Sequence, residues 1–329
     1  MTKQVTQMQI EIAKHERMAE TGSSLLRLIQ NNEMPLLDLM VREAVQNSMD
    51  AAQPGNGFVQ MDFNIRSFDR ARFSSYFEGI SQQLDYDYPR KEYRLLEIRD
   101  SFTLGLTGPL HDRECIAGEY GNLIKLIYHI GMPQQREGAG GSWGLGKTVY
   151  FRLGIGLVIY YTRINENGNF VSRMAACLVE DEKREDALLK ERGNNRGIAW
   201  WGERVGDNST KPITNEEEIN AILNCLGTKP YTGTETGTTI IIPFLREDLR
   251  MANEFVNLDD EDEEPQIVKG PWWINSDEEY IAVALQRWYA PRLMNPQYQH
   301  GKWLRARVND IGITKESFLS VFSIIQELY

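Results

Sequence analysis

Residues 35–52, PLLDLMVREAVQNSMDAA, constrain this chain more than any other stretch, because they sort onto two helical stripes of opposite character. Leu37, Val41, Ala44, Val45, Ser48 and Ala52 form a mostly apolar stripe that must be covered, and it suits packing on a sheet. Glu43, Asn47 and Asp50 stand at i, i+4 and i+7 on the other side. A helix gripped by its apolar side thus offers two carboxylates and an amide to a cavity, in outline a metal and water site. The competing interpretation is a solvated acidic face, since these residue types are common on exposed surfaces.

Composition narrows the classes. The 329 residues suffice for two domains, or for one large domain with an appendix. Hydrophobic residues at 41% and charged residues at 25% argue against disorder. A net charge of −11 opposes coating a phosphate backbone, so direct nucleic-acid binding would need a local basic patch. Cys115, Cys177 and Cys225 are widely spaced and odd in number, which suggests neither a disulfide framework nor a zinc knuckle and makes a cytoplasmic setting the expectation. No apolar stretch reaches the roughly 18 residues of a membrane span, so no membrane partner is expected.

Along the chain, residues 1–20 are polar and are expected to be a flexible arm. Residues 58–65, FVQMDFNI, alternate as a strand after the turn QPGNG, and residues 66–93 are expected to be a helical insertion on the surface. A second strand, residues 93–99, runs into Asp100 and the loop SFTLGLTG. Between residues 107 and 137, GNLIKLIYHIG and a polar run lie between two glycine loops, where a mobile lid would sit. Residues 149–163 and 170–179 pair as strands across the hairpin turn NENGN. Residues 180–235 are expected to be a second insertion carrying a helix capped at Thr214 or Asn215, and residues 236–244, TGTTIIIPF, are a strand. The acidic run NLDDEDEEP within residues 251–270 is a linker, separating residues 21–250 from a C-terminal α+β segment over 271–329. The last helix, SFLSVFSIIQELY, places Phe318, Val321, Phe322, Ile325 and Leu328 on one side, an apolar face that wants a partner.

The stretch GAGGSWGLGKT, residues 138–148, has the literal spacing of a P-loop in Gly141, Gly146, Lys147 and Thr148. A P-loop needs a buried strand before it, and MPQQREGAG is no strand. Its glycines can still surround phosphate oxygens with backbone N–H groups, with Lys147 adding positive charge.

Taken together, Glu43-x3-Asn47-x2-Asp50, Asp100 with its glycine loop, GSWGLG, and Gly237-Thr238 heading a strand resemble, in order, the four motifs of the GHKL ATPases, the superfamily of the gyrase B subunit, MutL-type proteins, the ninety-kilodalton heat-shock chaperone and the histidine kinases. The resemblance covers about residues 20 to 245. It implies an α/β (α+β) sandwich, a mixed sheet covered on one face by helices, with a Bergerat-type site for ATP and Mg²⁺. It implies Glu43 as the general base, Asn47 as the Mg²⁺ ligand, and Asp50 as a group ordering the metal's waters or the nucleotide. Asp100 would take the adenine amine with Thr238 on a shared water, and Gly105, Gly141, Gly144, Leu145, Gly146, Lys147 and Thr148 would line the nucleotide. The family's adenine loop usually reads Asp-x-Gly-x-Gly, whereas here Asp100 is followed by Ser-Phe-Thr-Leu before Gly105. A base at Glu43 favours hydrolysis over transfer to a histidine. The implied biology is nucleotide-gated self-association or partner docking, in genome maintenance or antiphage defence. An ATP-sensing scaffold with negligible hydrolysis and a P-loop NTPase or kinase are the alternatives, and Lys302 or Arg305 is the residue expected to reach the γ-phosphate from beyond the linker.

Overall fold

The computed structural model describes residues 7–14, 20–28, 34–116, 119–130, 146–189, 195–206, 209–247, 249–250, 253–255, 266–268 and 273–328. Strand β1 (Gln9–Ile12) and helix α1 (Gly22–Leu28) precede the long helix α2 (Leu36–Asp50). Strand β2 (Phe58–Asp69) leads through short helices α3 (Arg70–Ser74) and α4 (Ser81–Asp87) to β3 (Glu92–Ser101). Helix α5 (Gly121–Ile127) and a 3-10 helix over Gly146–Arg152 come before the hairpin of β4 (Leu157–Glu166) and β5 (Asn169–Val179). Strands β6 (Ile198–Arg204) and β7 (Thr210–Lys211), helix α6 (Glu216–Leu226) and β8 (Gly237–Pro243) follow. A small strand pair, β9 (Asn253–Phe255) and β10 (Gln266–Val268), precedes α7 (Asp277–Tyr289), β11 (Trp303–Val308), β12 (Ile311–Gly312) and α8 (Ser320–Glu327).

Among the described residues, ten strands form one mixed sheet in the order β1-β6-β5-β4-β8-β3-β2-β11-β12, with β7 paired to β6. The β2–β11 pair is parallel and the other named pairs of this sheet are antiparallel. The β4–β5 turn carries Asn167 at φ 54° and Gly168 at φ 93°, the two positive φ values that a tight hairpin turn of matching twist requires. Asn309 and Asp310, at φ 47° and 62°, make the equivalent turn between β11 and β12.

The mixed sheet is as expected, and its central strands are buried on both faces. Odd and even residues separate into two cores: Val158, Tyr160, Ala175, Cys177, Ile240 and Ile242 face one, while Leu157, Ile159, Tyr161, Met174, Ala176 and Ile241 face the other. Two-sided burial is why these strands read as nearly continuous apolar runs. Adjacent tryptophans on β6 show it most clearly. Trp200 Nε1 donates to the Ile127 carbonyl of α5 at 2.8 Å, and Trp201 Nε1 donates to the Glu78 carbonyl on the opposite side at 2.9 Å.

Of residues 66–93, expected as a surface insertion, the two ends continue β2 and β3 in the sheet and the middle is a covering layer: Phe73, Phe77, Ile80 and Leu84 are buried in the second core with Ile219, Ile222 and Leu223 of α6. Their helical spacing is the mark of a packed face, and the charged residues between them lie outside it. Within the expected N-terminal arm, β1 forms an antiparallel edge pair with β6. Residues 149–151, expected in a strand, belong to the 3-10 helix, and β4 begins beyond Gly154 and Gly156. Beyond the acidic stretch, β11 joins the main sheet and α7 shares the first core. Phe318, just before α8, and Phe322 within it pack against that core, whereas Val321 and Ile324 of α8 and Leu328 after it are exposed. No helix among the described residues is long and apolar enough to cross a membrane.

Helix α2 sits on the first core through Leu37, Val41, Ala44 and Val45, the apolar stripe expected for it. Its first turn is fixed by fully buried Asp38, which accepts from Tyr280 Oη at 2.6 Å, Arg287 Nη1 at 2.6 Å and Trp288 Nε1 at 2.7 Å, all on α7. A carboxylate in the first turn also meets the positive end of the helix dipole. Replacing Asp38→Ala strands a guanidinium, a phenol and an indole N–H together. Because Arg287 keeps a third of its side chain in solvent, the loss is expected at about 2–4 kcal/mol, at or below the usual range for breaking a buried pair, by chemical denaturation. A change under about 0.5 kcal/mol, the level of an ordinary surface substitution, would contradict the clamp.

Candidate functional site

Strand β3 delivers Leu96 and Ile98 to the first core, and the period of two carries Asp100 to the same face, beneath α2. The buried Asp100 carboxylate is held from three elements. Ser48 Oγ of α2 donates to Oδ2 at 3.0 Å, Thr103 Oγ1 of the following loop donates to Oδ1 at 2.5 Å, and Thr238 N of β8 donates to Oδ1 at 2.8 Å. Tyr231 Oη donates to the Asp100 carbonyl at 2.7 Å. Burial raises the Asp100 pKa from the ordinary aspartate value, and the hydrogen bonds from Thr103, Thr238 and Ser48 pull it back. Gly237 makes this approach possible, since a Cβ there would stand 2.4 Å from the Asp100 carbonyl oxygen and 2.8 Å from Tyr231 Oη.

The loop after Asp100 keeps a glycine-like backbone without the glycine. Phe102, two residues after Asp100, takes φ 65° in the left-handed region. Its ring packs on Phe58 at 4.7 Å between centroids. Gln53 N donates to the Phe102 carbonyl at 3.0 Å and Leu104 N to the Ala51 carbonyl at 2.8 Å, which stitches the loop to the end of α2. Gly105 at φ 69° passes beside β4, where a Cβ would meet Thr162 Oγ1 at 2.6 Å.

On the polar side of α2, Glu43 is half-buried while Asn47 and Asp50 are exposed. Burial raises the Glu43 pKa, with Arg42 opposing. Asp50 accepts from Gln46 Nε2 at 2.9 Å. Tyr150, from the 3-10 helix, is fully buried in the first core, and its hydroxyl has no hydrogen-bond partner among the described residues. Burial raises its pKa, Glu43 and Asp100 act on it electrostatically and raise it further, and the nearby Asn47 side chain favours its charged form. Among the described residues there is no group of three or more His, Cys, Asp or Glu able to hold a metal ion. The α2 donors Glu43, Asn47 and Asp50 are oxygen ligands of the hard type that magnesium takes.

Of the glycine stretch, Gly141, Gly144 and Leu145 lie outside the described residues. Gly146 and Lys147 open the 3-10 helix, and Thr148 is buried within it. The preceding described element is α5, and the 3-10 helix gives way to β4, so the strand–loop–helix frame of a P-loop is absent among the described residues. Helix α5, placed where a lid would sit, buries Leu123, Ile124 and Ile127 in the first core. Lys302 Nζ donates to the Asn56 carbonyl in the turn between α2 and β2, and Arg305 lies over Phe58 and Trp303 at 4.6 and 5.5 Å.

Ser48, Thr103, Tyr231 and Tyr150 belong to none of the sequence motifs, yet the first three bond Asp100 and the fourth lies on the 3-10 helix that packs against α2. A serine inside an otherwise apolar stripe is a readable signal of a polar partner beneath it. Tyr150 carries no such signal, because VYF reads as ordinary core.

No protein-family model matches the chain, and no curated protein matches it. Among solved structures, the chain is similar to the ATPase region of Saccharomyces cerevisiae topoisomerase II bound to ICRF-187 (dexrazoxane), with TM-score 0.37 and 11% identity over 84% of this chain and 49% of that one. A second structure of that ATPase region gives TM-score 0.36 and 10% identity, over 85% of this chain and 48% of that one. The chain spans about half the length of the solved structures it matches.

Gly237→Ala tests the packing at Asp100 directly. The new methyl meets backbone that cannot rotate away, so a stability loss of about 2 kcal/mol or more is expected in thermal or urea denaturation. An unchanged midpoint would show that β8 and the Asp100 loop are not in close contact.

Proposed function

We propose that this chain binds ATP and hydrolyses it, with Asp100 as the adenine anchor and Glu43 as the general base. One observation carries the proposal. A carboxylate offers about four acceptor positions, and Thr103, Thr238 and Ser48 fill three of them at Asp100. The position left on Oδ2 suits one more donor. An adenine amine supplies that donor, whereas guanine presents a carbonyl oxygen at the same place.

The order of the four sequence motifs supports the same assignment, and so does the setting of Glu43. A half-buried carboxylate with a raised pKa is a stronger base than a solvated one. Glu43 would accept the proton of the attacking water, and Asn47, one turn further along α2, would hold a magnesium ion through its amide oxygen. That ion would neutralise charge on the phosphates. Gly146 and Lys147 would meet the phosphates, and nucleotide state would control association with a second copy or a protein partner.

Glu43→Ala is expected to keep ATP affinity within about threefold and to lower turnover by about 10² to 10⁴, the ordinary worth of general-base catalysis. Robust turnover by that variant would remove Glu43 from the role. In the parent chain the rate should fall as pH drops through the raised Glu43 pKa, because protonation removes the base, so the acid limb lies above the ordinary glutamate range. Asp100→Asn should fold normally, since Ser48 can donate to the Ala44 carbonyl and accept from the new amide. It should bind ATP at least about tenfold more weakly, because the free acceptor has become a donor. Unchanged affinity would contradict the adenine assignment.

A further inference from the structure

Tyr150 is the buried polar group that the proposed chemistry leaves unused. Its ring belongs to the first core, its residue is fully buried, and the hydroxyl has no hydrogen-bond partner among the described residues. Neighbouring tyrosines are treated differently: Tyr231 donates to the Asp100 carbonyl, Tyr280 to Asp38 and Tyr289 to the Arg42 carbonyl. A phenylalanine at position 150 would fill the same volume without stranding an O–H group, so the hydroxyl has a cost that the fold itself does not repay.

Its position says what would repay it. The 3-10 helix that carries Tyr150 packs against α2. The polar groups around the hydroxyl are Glu43 and Asn47 of α2, Asp100 of β3 and Tyr289 of α7. Two of these are carboxylates, which makes the spot unwelcoming to a further anion unless neutral donors offset the repulsion. A tyrosine hydroxyl is such a donor and keeps its proton at neutral pH. Phosphoryl oxygens are acceptors only, so an unpaired donor at the Glu43–Asn47 end of the site complements them.

We propose that the Tyr150 hydroxyl donates a hydrogen bond to the terminal phosphoryl group of a nucleoside triphosphate, which makes it a ligand-sensing residue that distinguishes triphosphate from diphosphate. The inference rests on the ATP assignment above. It adds a contact from the core side of the site, on a residue that follows the glycine stretch rather than belonging to it.

The test compares the parent chain with Tyr150→Phe by thermal denaturation without nucleotide, by calorimetric titration with ATP and with ADP, and by steady-state phosphate release. The melting midpoint of the variant without nucleotide should match or exceed that of the parent. Its ATP affinity should fall about tenfold, the worth of one hydrogen bond to a charged group, while ADP affinity stays the same. Turnover should also fall at saturating ATP. Equal ATP affinities, or equal losses for ATP and ADP, would overturn the contact with the terminal phosphoryl group. A marked fall in the midpoint without nucleotide would overturn it too, by showing that the hydroxyl is bonded within the empty protein. Absence of any ATP binding by the parent would instead overturn the ATP assignment and this contact with it, so the two failures are distinguishable.

Discussion

The buried Asp100 carboxylate is the constraint on which the rest of the arrangement depends. A carboxyl group at the end of a central strand is expensive to desolvate, and it is tolerated here because donors converge on it from α2, the adjoining loop and β8. Each donor fixes a different part of the molecule relative to the sheet. Ser48 sets the rotation of α2, and therefore the direction in which Glu43 and Asn47 point. Thr103 shapes the loop that forces Phe102 into the left-handed region, and the Thr238 amide requires Gly237 beside it. An interaction that is costly when incomplete thus specifies geometry more sharply than apolar packing alone.

The second support is the α2–α7 clamp. Apolar burial holds α2 against the sheet but leaves sliding along its axis weakly resisted, and the three directional bonds from α7 to Asp38 oppose that motion. With Asp38 pinned at one end and Ser48 at the other, the polar stripe between them is preorganised. Such preorganisation is what the general-base role proposed for Glu43 would require, since a displacement of about 1 Å costs much of the effect. The second face of the sheet, covered by α3, α4 and α6, reaches the site through Tyr231, which belongs to that core and donates to the Asp100 carbonyl.

Much of this was legible in the sequence. Helix α2 showed both its stripes, the Asn167–Gly168 turn announced its hairpin, and Asp100 stood out as an acid closing an apolar strand. The second covering layer was less visible, because Arg70, Arg72 and Asp85 give residues 66–93 a surface composition while Phe73, Phe77 and Leu84 do the packing. A sharper clue lay in the strands, since MAACLV and IAWWG do not alternate and such runs require cover on both sides. The loop at Phe102 was opaque for a steric reason: positive φ is a glycine signal, and an aromatic residue in that conformation is betrayed only by its tertiary contacts. Tyr150 was hidden because a hydroxyl at the tip of a core ring looks apolar until the absence of its partner is seen.

The central claim is that the remaining acceptor on Asp100 selects an adenine nucleotide. Calorimetric titration of the chain with ATP and with GTP, each in the presence of magnesium, tests it most directly. The account predicts saturable one-to-one binding of ATP, with GTP weaker by at least about tenfold, because guanine presents an acceptor to an acceptor. Equal binding of the two nucleotides, or binding of neither, would contradict it.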